Sequence, residues 1–160
     1  MEPSLFAHAV ELIDHCGLER VAASLKQTLK YTIHLETSPA HGRSLGVGTS
    51  RLGGWPDLPA VLSWPTWNQV PMAFLAQINL AEVAPYDREY QLPPQGWLYF
   101  FCRAEGALRG QEFAGLPDLD YTPPGSWRVL FFDGSAANLH PYPFPDGLPQ
   151  AAFLAPCTLK

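Results

Sequence analysis

The chain is poor in charge. Only 16% of its 160 residues are Asp, Glu, Lys or Arg, against about 25% in an average soluble domain. Ten basic residues face fifteen acidic ones, for a formal net charge of −5 and an isoelectric point near 5.4. That balance excludes a general nucleic-acid binder and a binder of anionic membrane surfaces, both of which need a basic footprint. It suits a basic protein partner. Long apolar runs are missing too. None approaches the ~18 residues of a membrane span, and the opening MEPSLFAHAVELIDH lacks the basic start and apolar stretch of a secretion signal. Cysteine is scarce: Cys16, Cys102 and Cys157 lie far apart in sequence and cannot all pair. Free thiols in a reducing, cytoplasmic compartment are expected. There is no internal repeat and no low-complexity tail.

Catalytic and metal-binding signatures are equally absent. The sequence contains no C-x-x-C, H-x-H, H-E-x-x-H or G-x-S-x-G. His8, Glu11 and His15 fall on one helix face, but histidines seven apart are ~10 Å apart along the axis and need outside ligands to share an ion. Cys16 beside His15 is no dyad, since helix neighbours point about 100° apart. Cys102, inside an aromatic run, reads as inert packing. Asp118 and Asp120 in LPDLDY read as a solvated loop. No catalytic residue, metal site or cofactor is predicted, and the chain is not expected to be an enzyme.

What is abundant is proline and aromatic surface. Seventeen prolines are roughly twice the ~5% background and call for rigid, extended connections. Nine Phe, six Tyr and five Trp favour pleated sheet. From residue 3 to about 30, apolar residues recur every three or four positions, and Gly17 is a natural helix stop, so two helices are predicted. Alternation then predicts a half-buried strand over Tyr31–Thr37 and another over Pro71–Leu80, and LGVG suggests a short strand. GWLYFFC and WRVLFFD, apolar on both faces apart from Arg128, read as central strands. Residues after Ala136 read as proline-broken coil. Helices followed by strands predict a single α+β domain over 1–160, helical in 3–30, with a mainly antiparallel sheet and long Pro-rich loops in 31–160.

The most informative stretch is SRLGGWPDLPAVLSWPTWNQVPMAFLAQINL, Ser50–Leu80. Its glycines invite a phosphate-loop reading, but WPDLP follows Gly54 where a lysine and a helix N-terminus would be required. Gly53 and Gly54 instead suit a tight turn where backbone passes close to an aromatic ring. Trp55, Trp64 and Trp67, held by prolines, form either a lid over the core or a binding platform, and the lid is the plainer reading. Gln77 and Asn79 share one strand face. They either bond the incoming GGWPDLP backbone or line a cleft together with Arg51, because a buried amide without partners is costly.

In order, SRLGGWPDLP, a Trp-Pro, PMAFLAQINL, LPPQGWLYFF and SWRVLFFDG resemble the YwqG-like bacterial family of unknown function. The likeness runs from Ser50 to about Asp133, the N-terminal half of that family's pattern. Arg51 stands where the family usually has lysine, and the family's later His-Arg/Lys-x-x-Gly-Tyr and LLLQ segments have no counterpart, so the chain is expected to be a compact variant or a fragment. The resemblance implies an α+β fold in which the helices pack on a curved antiparallel sheet. It establishes no catalytic residues. It implies a non-enzymatic protein-binding domain, an immunity protein that neutralises a cognate bacterial toxin, with a homo-oligomer as a further partner class. Arg51, Trp55, Trp64, Trp67, Gln77 and Asn79 are the candidate binding residues. The alternative is an enzyme or small-ligand-binding domain with a cleft near Arg51, Gln77 and Asn79.

Overall fold

A computed structural model describes residues 5–18, 20–40, 45–104 and 124–159. Asp118 and Asp120 lie outside the described residues. The chain divides into two compact units, Met1–His34 and Leu35–Lys160.

The first unit holds helices α1 (Leu5–His15) and α2 (Ala22–Thr28). Between them Gly17 takes a left-handed φ of +67°, which ends a helix without the cost a Cβ would impose. Lys26 on α2 pairs with Asp14 on α1 at 2.5 Å, and Phe6 stacks on Tyr31 with ring centroids 5.0 Å apart. His15 bonds the Glu11 carbonyl through Nδ1, at 2.7 Å, rather than the Glu11 side chain.

The second unit carries ten strands and one short helix. In chain order these are β1 (Thr37–Pro39), β2 (Arg51–Leu52), β3 (Asp57–Pro59), β4 (Thr66–Trp67), β5 (Val70–Pro71), β6 (Ala73–Asn79), α3 (Leu80–Val83), β7 (Trp97–Cys102), β8 (Trp127–Phe132), β9 (Leu139–Pro141) and β10 (Cys157–Leu159). Six of them form one sheet in the order β1-β10-β2-β6-β7-β8, with antiparallel pairing throughout. β3 pairs with β9, and β4 with β5, also antiparallel. The described fold is therefore α+β with an antiparallel sheet.

Directly paired residues share a sheet face. The β6–β7 register sets Phe74 beside Phe101, Gln77 beside Tyr99 and Asn79 beside Trp97 on one face. Leu58 from β3, Leu139 from β9 and Met72 close over that face and complete the main core. Full burial of each large apolar side chain there contributes about 1.5–3 kcal/mol. A bulge at Leu75 interrupts the register between Phe74 and Ala76, and its carbonyl accepts the Gly53 amide at 2.8 Å.

Four local expectations change. The alternating Tyr31–Thr37 segment is mostly not a strand; pairing begins at Thr37, where β10 supplies a neighbour. LGVG is a turn, with Gly48 at φ +79°. The C-terminal coil contains β9 and β10, three residues each, too short to show a period. Among the described residues β8 is an edge strand and not a central one: Trp127, Val129 and Phe131 are 55%, 56% and 45% exposed.

The two glycines of the Ser50–Leu80 stretch are required by backbone proximity. Gly53 has φ +60°, and a Cβ there would sit 2.5 Å from the Ala155 carbonyl oxygen and 2.7 Å from that of Leu154. Gly54 donates to the Leu154 carbonyl at 2.9 Å. Replacing Gly53 by Ala is expected to cost at least about 2 kcal/mol, from the left-handed φ and the clash with backbone that cannot move aside. The midpoint of urea unfolding at unchanged slope measures it. Gly54→Ala, whose Cβ would meet the Pro156 side chain at 3.0 Å, should cost less.

Candidate functional site

The residues singled out by the sequence part company in three dimensions. Arg51 on β2 and Gln77 on β6 face each other across the sheet and converge on a residue that sequence reasoning missed, Asp57, at the start of β3. All three are buried, with exposures of 6%, 0% and 1%. Asp57 Oδ2 accepts from Arg51 Nη2 at 2.5 Å, from the Gly48 amide at 2.7 Å and from Gln77 Nε2 at 3.1 Å. Gln77 Oε1 accepts the Asp57 amide at 2.7 Å, and its Nε2 also donates to the Thr49 carbonyl at 3.0 Å. Arg51 donates further to the carbonyls of Gly46 and Trp55 at 2.7 and 3.1 Å. The Tyr99 hydroxyl donates to the Asp57 carbonyl at 2.8 Å, and Trp97 Nε1 to the Gly48 carbonyl at 2.8 Å.

This arrangement clasps the 46–57 loop onto the sheet. Burial lowers the Arg51 guanidinium from its usual pKa, while the Asp57 charge beside it works in the opposite direction. Burial, then the Asp57 charge, push the Tyr99 phenol well above its ordinary range, so it stays a donor. Cys102 is buried, and burial pushes its thiol upward, away from the reactive thiolate.

Asn79 does different work. Its Oδ1 accepts the Ala81 amide at 3.1 Å and so caps α3, while its backbone N–H donates to the Ser50 hydroxyl oxygen at 2.9 Å. Glu82, three residues on, accepts the Ser50 amide at 3.2 Å. The Asn-x-x-Glu spacing is a recognised helix-start signal and was available in the sequence.

The tryptophans separate as well. Trp64 lies edge-on to Phe101 at 5.3 Å and to Phe144 at 6.0 Å, with its Nε1 on the Met72 carbonyl at 2.9 Å. It is a lid over the core. Trp55 is half exposed and touches only the edge of Phe144 among the ring pairs described, at 6.4 Å. Trp67 lines a hollow of about 150 Å³ together with Asn68, Val70, Pro71, Arg103 and Ala104. Among the described residues, no group of three or more His, Cys, Asp or Glu is placed to hold a metal ion, and no helix is long and apolar enough to cross a membrane.

β8 exposes three large apolar side chains, Trp127, Val129 and Phe131. The opposite edge, β1, is three residues long and ends in Pro39, which blunts it against further pairing. β8 is six residues long, free of proline, and carries a single charge, Arg128. Among the described residues no other strand pairs with its outer side, and Arg128 is its one charged side chain.

Removing one member of the buried clasp strands the rest. Asp57→Asn keeps the shape but leaves the buried Arg51 charge unpaired, and is expected to cost about 3–5 kcal/mol. Arg51→Met should cost a similar amount, and the double variant clearly less than the two singles together. Chemical denaturation of the four proteins in one cycle measures the coupling.

The model of a family described as a domain of unknown function, DUF1963, matches residues 50–158. The match runs past Asp133, where the recognisable motifs end, and takes in β9 and nearly all of β10. No curated protein matches the chain. With most of its length covered by that model, the chain belongs to the DUF1963 family of domains of unknown function.

Proposed function

We propose that this chain is a non-enzymatic, cytoplasmic protein-binding domain, a YwqG-like immunity protein that neutralises a bacterial toxin by accepting an extended segment of it along β8. The observation that carries the reading is β8, an edge strand among the described residues, with Trp127, Val129 and Phe131 exposed on one face. An unpaired strand offers a row of main-chain donors and acceptors, and alternate side chains supply specificity. The chain's formal charge of −5 repels a second copy and attracts a partner of opposite sign, which favours a basic protein as the occupant. The buried clasp supports the same reading, because the charge of Arg51 and the amide of Gln77 are taken up by the protein's own backbone and Asp57. A small-ligand cleft at Arg51, Gln77 and Asn79 therefore has no free polar group from Arg51 or Gln77 to rest on.

Co-expression with the toxin encoded in the neighbouring reading frame should restore growth and yield a stable complex. Val129→Lys, at a half-exposed position, should abolish protection and weaken binding at least tenfold, about 1.4 kcal/mol. The unfolding midpoint should stay within about 0.5 kcal/mol of the parent. Unchanged binding by Val129→Lys would remove β8 from the interface. A dimer in light scattering that the same variant dissociates would make a second copy the occupant and overturn the proposal.

A further inference from the structure

We propose that the hollow beside Trp67 is an anion-reading subsite that takes the carboxylate of a glutamate side chain from an extended peptide. It lies apart from the exposed apolar face of β8 and is independent of the toxin-neutralising reading.

The chain is acidic and has few cations, yet two of them gather at this corner. The Arg103 guanidinium carbon sits 5.9 Å from the centre of the Trp67 ring, a cation–π distance that holds the group flat against an aromatic surface. A side chain built at Gly125 would touch Arg128 Nη2 at 3.7 Å and the Trp67 ring at 3.8 Å, so Arg128 and Trp67 approach one point from different sides. Among the described residues the ion pairs are Lys26–Asp14 and Arg51–Asp57. Neither Arg103 nor Arg128 has a carboxylate there. Two like charges near one ring, with no carboxylate paired to them among the described residues, raise the local affinity for an anion.

The walls select which anion. Val70, Pro71, Ala104 and the Trp67 ring are apolar, while Arg103 and Asn68 supply the polar groups. A cavity near 150 Å³ is large enough to hold a benzene-sized group, and the five side-chain heavy atoms of glutamate are fewer than benzene's six. Its methylenes would lie against the apolar wall and its carboxylate against the planar, fork-shaped Arg103 donors. A bare phosphate would leave the apolar wall unused.

Two further observations mark the corner as built for something. The turn between β4 and β5 places Asn68 at φ +50° and Gln69 at φ +66°. A glycine is the usual second residue of such a turn, so Gln69 holds strain at the rim. Ser126, next to Gly125, is 1% exposed and its Oγ has no hydrogen-bond partner, although its carbonyl accepts the Arg103 amide at 2.8 Å. The strained turn carries Asn68, which lines the hollow, and the unsatisfied hydroxyl belongs to the residue whose carbonyl holds the Arg103 backbone.

The test is a titration followed by the indole N–H resonance of Trp67, assigned by its loss in Trp67→Phe. The probe is acetyl-Ser-Val-Glu-Val-Ser-amide, with its Gln counterpart, glutarate and sodium phosphate as the comparison arms. The Glu peptide should give a saturable shift below about 10 mM, and the Gln peptide should bind at least tenfold more weakly. Arg103→Gln should lose at least tenfold in affinity and Arg128→Gln a smaller factor. Asn68→Asp sits on an exposed turn whose left-handed φ aspartate tolerates, so it keeps the fold and should repel the peptide by a similar factor. The proposal falls if both peptides bind alike or if neither saturates. It falls equally if phosphate or free glutarate saturates the site at lower concentration than the Glu peptide. None of these outcomes alters the toxin-protection assay with Val129→Lys, so the two readings fail separately.

Discussion

One carboxylate oxygen organises the sheet-bearing unit. Asp57 Oδ2 collects donors from Gly48, Arg51 and Gln77, which belong to a turn, to β2 and to β6. A single oxygen with three donors, one of them charged, is held far more firmly than three separate contacts would be. The backbone on either side is tied as well, with the Asp57 amide on Gln77 and its carbonyl on Tyr99. Well-packed apolar residues could give comparable stability at this position. What they could not give is direction, because only hydrogen bonds fix which way the 46–57 loop crosses the sheet.

That fixed crossing lets the C-terminal segment enter. With the loop held, Gly53 and Gly54 present bare backbone to Leu154–Pro156, and β10 slots between β1 and β2. The sheet is thus closed by residues about a hundred positions away from those they pair with. Such non-local pairing is slow to form, since loop-closure entropy opposes it before contacts reward it. The polar clasp fixes Arg51 on the β2 strand with which β10 pairs.

β6 and β7 were legible in the sequence because they are long enough to show a pattern and are buried on one or both faces. β10 was not, since three residues carry no period and its position depends on its neighbours. β8 misled for a physical reason: WRVLFF is apolar on both faces, and such a run normally means burial on both sides. Among the described residues β8 has one pairing partner, β7, so the same residues form an edge. The run was read as a central strand, because an apolar pattern reports a preference for burial and not which neighbour supplies it. At the clasp, Gln77 raised the right question and Arg51 supplied the right chemistry, but Asp57, between Pro56 and Leu58, was not singled out. An acid in so apolar a setting needs a buried cation, and Arg51 lies only six positions upstream.

The same physics separates the scaffold from the surface that acts. Inside, the charges of Arg51 and Asp57 are matched, so they are structural and inert toward outside groups. At the far end of the sheet the matching stops: Arg103 and Arg128 flank Trp67 without a carboxylate among the described residues, and β8 leaves one side of its backbone open. A chain this sparing with charge does not leave two arginines together through excess. Net charge governs which partners approach, because it acts over a Debye length of about 8–10 Å, whereas the arginine pair and the strand edge act only at contact. The long-range field and the local arginines therefore answer to different residues.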